Sequence, residues 1–191
     1  MKVGAFAVIS AAALALAACG QKTDTEASTS TSNGMVTGLN NDAAAVSPAA
    51  SGGQLFANAA AASDAFEIAT SNLALTASSS TAIKKFAQKM IEAHTDSTAK
   101  LKTASSAATP AITPDPTLTA EQQAKLDALK ATSGKAFDQA YIAAQAEGHQ
   151  KTLDALQSYA STGDVPELKS FASTLVPIVA AHLNMAKGLK A

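Results

Sequence analysis

From position 168 to 189 the side chains Leu168, Phe171, Leu175, Ile178, His182, Met185 and Leu189 recur at alternating steps of three and four residues. That spacing returns each of them to one face of an α-helix. Three earlier segments repeat the pattern: Leu55, Ala59, Ala62, Phe66, Ala69 and Leu73; Ile83, Ala87, Met90, His94, Ser97 and Leu101; and Asp138, Ile142, Gln145, His149, Leu153 and Leu156. A helix with one apolar stripe must bury it against partners. No segment alternates with period two, so the expectation is an all-α fold, most simply a four-helix bundle.

The punctuation agrees. Long helices are expected over about 53–77, 81–105, 136–160 and from about 165 onward, with a short one over about 120–131. The run SSST at 78–81 supplies a turn and an N-cap, and the prolines at 110, 114 and 116 exclude a helix interior. Ser133 and Gly134 are expected to break the chain before the third long helix. Before the fourth, Asp164 can cap, Pro166 suits a first turn, and Glu167 completes a capping box. About 30 residues, 106–135, join the second and third long helices, far more than an antiparallel pair requires. The connection can travel the length of the bundle, which favours a parallel pair as in ferritin-like bundles. The alternative is a short helix lying across one end.

The chain begins with Lys2, an apolar run too short for a confident membrane span, and small residues leading to Cys19. Leu16, Ala17, Ala18 and Cys19 resemble the lipobox of bacterial lipoproteins, in which the cysteine is acylated and becomes the mature N-terminus. That resemblance implies a signal peptide over 1–18 and lipidation at Cys19. Gly20, where inner-membrane lipoproteins typically carry aspartate, points to the outer membrane, with the domain in the periplasm. Residues 19–51 are rich in Ser, Thr, Asn, Ala and Gly and bury too little area to offset ordering entropy, so they read as a flexible tether. Residues 52–191 are long enough for one domain with its own core. Cys19 is the only cysteine, so no internal disulfide can form.

The basic side chains are 14 lysines against 15 acids, leaving a formal net charge of −1. No positive field exists to hold a phosphate backbone, and nucleic acid is excluded as a partner. There is no Gly-rich phosphate loop and no Gly-x-Ser-x-Gly elbow, and the one thiol belongs to the lipobox, so no catalytic residue is assigned.

The chain has three histidines, and all of them lie on apolar stripes. At a rise of about 1.5 Å per residue, Glu67 and His94 both fall about 18 to 20 Å from the first hairpin turn, and His149 lies near the middle of its helix. Glu67, His94 and His149 can therefore share a layer, while His182 falls five to ten ångströms from the midplane by the same rough count. Two imidazoles and a carboxylate suit a divalent ion such as zinc, iron or copper. A di-iron centre is not expected, because the sequence has no Glu-x-x-His. The competing reading is a satisfied polar layer, in which the histidines exchange hydrogen bonds with Glu67, Asp138, Tyr141 or Gln145 and set helix register.

The stretches FAQKMIEAHTDSTAKL, GKAFDQAYIAAQAEGHQKTLDAL and LKSFASTLVPIVAAHLNMAKGL resemble the DUF4142 family, ferritin-like bundle proteins of bacterial envelopes with no settled function. The resemblance covers about 55–189. It rests on Phe86, Ala87, Met90 and His94; on Phe137, Asp138, Tyr141 and His149; on Leu175, Pro177 and His182; and on Glu67 in the first helix. Ala93 and Ala181 stand where the family often has an acid beside the histidine. These departures lower the charge near the seam and weaken the metal reading. On this basis the chain reads as a membrane-anchored, periplasm-facing lipoprotein with a non-enzymatic envelope role and no expected cofactor. A divalent metal-binding or metal-oxidising bundle is the alternative. An adaptor for another envelope protein is a second alternative, expected to show an exposed apolar patch.

Overall fold

The computed structural model describes residues 51–191, so the expected leader, Cys19 and all of the tether but Ser51 lie outside it. The described residues form five helices and no strand: α1 Gly52–Ala77, α2 Thr81–Ala107, α3 Ala120–Lys130, α4 Gly134–Thr162 and α5 Pro166–Gly188. The boundaries follow local chemistry. Ser51 and Ser80 accept hydrogen bonds from the backbone N–H groups of Gln54 and Ile83 at 3.2 and 3.4 Å. Thr119 and Gln122 form a reciprocal capping box that starts α3. Gly134 has φ +57°, a left-handed conformation that a side chain would strain, and it reverses the chain between α3 and α4.

One expected cap is corrected. Asp164 and Glu167 do not form a capping box; Val165 occupies the N-cap of α5, without a side-chain bond. Pro166 removes one orphan donor from that first turn. The Asp164 carboxylate instead accepts the Tyr159 hydroxyl at 2.9 Å, tying the end of α4 to the turn.

Cross-helix contacts define the topology. Ser71 meets Tyr141 at 2.9 Å, Ser63 meets Thr152 at 2.8 Å, and Phe56 stacks on Tyr159, so α1 and α4 are antiparallel. Since α1 and α2 form a hairpin, α2 and α4 run parallel, the arrangement the long connection favours. That connection leaves the end of α2 and lies along the start of α1, where Gln54 donates to the Thr113 carbonyl at 2.7 Å and Asn58 accepts from the Asp115 N–H at 3.0 Å. It then forms α3, which buries Leu126 and Leu129.

The interior has two apolar clusters. Phe56, Ala57, Leu101, Leu153, Leu156, Leu168, Phe171 and Leu175 belong to one; Ala74, Ile83, Phe86, Met90, Leu129, Phe137 and Tyr141 belong to the other. Each buried Leu or Phe contributes about 1.5 to 3 kcal/mol. Between the clusters every long helix turns polar, at Asp64, Glu67 and Thr70, at His94 and Ser97, at Gln145 and His149, and at His182, all of them buried.

The face of α1 differs from the expected stripe. Of the expected stripe, Ala62 and Phe66 are buried, but Leu55 is 59% exposed and Ala59 is exposed, while Phe56, Ala57, Ala61, Asp64, Glu67, Thr70, Ser71 and Ala74 also face inward. On α5, Ile178 is 38% exposed and Val179 replaces it in the core.

Candidate metal centre

The three imidazoles meet at one level. Ring centroids lie 5.5 Å apart for His94 and His149, 5.8 Å for His94 and His182, and 5.5 Å for His149 and His182. His182, placed outside the layer by residue counting, belongs to it. Helical side chains lean toward their own N-terminus, so His182 on α5 reaches down while His94 and His149, on the oppositely directed α2 and α4, reach up.

Each of two rings has one nitrogen committed. The Nδ1 of His94 is 2.8 Å from Asp64 Oδ1, and the other carboxylate oxygen of Asp64 accepts the Thr98 hydroxyl at 3.2 Å. Asp64 was not legible as a site residue because the expected stripe put it on the wrong side of α1. The Nδ1 of His149 is 2.8 Å from the backbone carbonyl oxygen of Gln145. The carbonyl oxygen can only accept and the Asp64 carboxylate oxygen serves as acceptor, so both Nδ1 atoms carry the hydrogen, and in the neutral form of each ring Nε2 presents the lone pair. Those Nε2 atoms are buried and have no hydrogen-bond partner, as is the Nδ1 of His182.

Buried polar atoms without partners are exceptional, and three on converging rings form a pattern. One nitrogen from each histidine falls in a group whose members lie within 4.8 Å of one another. Tetrahedral coordination at the usual zinc–nitrogen bond length needs about 3.4 Å between nitrogens. The remaining gap is of the size that small ring rotations close. The bonds to Asp64 and to the Gln145 carbonyl are of the kind that orients histidine ligands in metal sites.

Electrostatics keep most of the cluster neutral. Burial pushes His149 down to about 3 and His182 down to about 4, helped in both by the charge on His94. Burial also opposes charge on His94, but the Asp64 hydrogen bond and the nearby Glu67 and Asp64 charges outweigh it and raise its pKa. Neutral imidazole is the ligand form.

The other expected site residues divide. Glu67 is buried, with Oε1 3.7 Å from Nδ1 of His149, the ring nitrogen already committed to Gln145, and with Oε2 unpartnered. It borders the cluster without joining the group of converging nitrogens. Burial raises its pKa to about 7 against the opposing pull of His94. Gln145 donates to Thr70 at 3.2 Å and Tyr141 pairs with Ser71, so these two belong to helix register. Asp138 is buried with Oδ1 unpartnered.

No curated protein and no solved structure matches this chain. The model of the family described as "Domain of unknown function (DUF4142)" matches residues 39–189, most of the chain, and the protein belongs to that family.

Proposed function

We propose that this protein binds one divalent ion through His94, His149 and His182, in a bundle held by a lipid anchor at Cys19 to the outer membrane and facing the periplasm. One observation carries the metal reading: three buried imidazoles converge from three helices, each with a ring nitrogen that has no partner and two of them oriented by outer hydrogen bonds. Three imidazoles favour zinc or copper over iron, whose oxidation in helical bundles uses paired carboxylates. The anchor rests on the lipobox resemblance around Cys19. No reaction is assigned.

The test is calorimetric titration of the purified protein with zinc and copper salts, with metal analysis before and after chelator dialysis. Close to one equivalent is expected. A ligand bound only by the folded state adds about 2.7 kcal/mol at a hundred times its dissociation constant, so the melting temperature rises with metal. Alanine at position 94, 149 or 182 abolishes both effects. If metal does nothing and His94→Leu or His149→Leu keeps wild-type stability, the layer is a polar core and the metal reading is wrong.

A further inference from the structure

Besides the histidine cluster, a cavity of about 260 Å³ lies between α1 and α4 under α3 and the segment before it. Its walls combine small residues such as Ala59, Ala62 and Ala144 with polar and charged ones, and the buried Glu67 is among them. Glu67 is 2% exposed and its Oε2 has no partner. Opposite it stands Gly148, where a Cβ would come within 2.9 Å of Glu67 Oε1. The glycine thus leaves room for the carboxylate between cavity and histidines. We propose that this cavity is the path by which the ion reaches the three histidines, with Glu67 as the carboxylate that receives it on the way; the proposal rests on the metal reading above.

Size and charge both fit a hydrated cation. Six waters at about 30 Å³ each fit within the cavity volume. At the mouth, Lys125 and Lys151 each pair with Glu121 and Glu147 at 2.6 to 2.9 Å, so two positive charges are offset by two negative ones. The Lys125–Glu147 and Lys151–Glu121 pairs also link α3 to α4. The opposite approach, on the His182 side, is guarded by cations. Lys85 and Lys89 line a shallow surface depression there with Phe86 and Met185, and the charge of Lys89 is felt by His182. A divalent cation approaching that face meets like charge without a carboxylate to receive it.

The experiment follows Co²⁺ loading of the purified full chain by the visible absorption of the bound ion, in stopped flow and at equilibrium. Glu67→Gln and Ala144→Phe should each take up the wild-type equivalent with the wild-type final spectrum, at a rate lower by about tenfold or more, the range that electrostatic focusing governs. Lys89→Met should load at the wild-type rate. Glu67→Gln preserves shape, so it decides the matter if Ala144→Phe fails to fold. Wild-type loading rates in Glu67→Gln overturn the path, as does faster loading in Lys89→Met. An altered final spectrum in Glu67→Gln makes Glu67 a ligand and also overturns its receiving role. If the wild type takes up no Co²⁺ at equilibrium, the metal reading falls and the path with it; normal uptake with unchanged rates removes only the path.

Discussion

Asp64 Oδ1 lies 2.8 Å from His94 Nδ1, and this one contact commits Nδ1 and leaves Nε2 as the unpartnered nitrogen of a ring packed beside His149 and His182. Asp64→Asn keeps an acceptor but removes the charge, while Asp64→Ala removes both. Loss of outer-shell partners lowers metal affinity by about 10- to 100-fold. We expect Asp64→Asn near the lower end and Asp64→Ala near the upper, by competition against a chelator of known affinity. Equal affinity in all three proteins would show that Asp64 does not orient the ligand.

The histidines set an acid limit on the metal-free fold. The folded pKa values of His149 and His182, about 3 and about 4, lie below the ordinary 6.5, so below pH 6.5 the unfolded chain binds more protons. Their contribution is complete above that pH and is lost as pH falls toward the folded values. His94 and Glu67 are raised, and their contributions run the other way, present at low pH and lost as pH rises. His149→Gln should therefore retain more of its pH 6.5 melting temperature at pH 4.5 than the wild type does, by at least about 3 °C. An identical acid loss in both would place the acid-labile group elsewhere.

Gly148 and Glu67 should be energetically coupled. Alanine is better than glycine in a helix by about 1 kcal/mol, but here its Cβ meets the Glu67 carboxylate at 2.9 Å. Gly148→Ala is expected to be near neutral alone and to stabilise by about 0.5 to 1 kcal/mol in a Glu67→Ala background. Denaturant midpoints for the four proteins close the cycle; strict additivity would mean the two side chains do not compete.

Anchoring at Cys19 predicts that Cys19→Ser leaves the bundle folded but moves it from the membrane pellet to the soluble or unprocessed fraction. Fractionation with labelled fatty acid decides it. A serine variant that stays acylated and sediments as before is incompatible with the lipobox.

The fold was legible because it depends on local period and punctuation. Leu168, Phe171 and Leu175 on α5, and Ile83, Met90 and Leu101 on α2, face inward as their spacing requires. Ser80, Pro166 and Gly134 mark boundaries through their own backbone chemistry. The 30-residue connection carried the parallel relation of α2 and α4, because chain length limits where a helix can begin.

What tertiary structure decided was rotation about each helix axis and height along it. A turn of α1 by about one residue step exchanges Leu55 for Phe56 while Ala62 and Phe66 stay buried, and the alanine-rich sequence tolerates either choice. Only close packing against α2 and α4 selects the face carrying Asp64, and only that face gives His94 its carboxylate. Likewise His182 joins His94 and His149 through side-chain lean, a geometry that residue counting along separate helices does not contain. Residue types fixed the candidates; mutual helix rotation determined which of them converge.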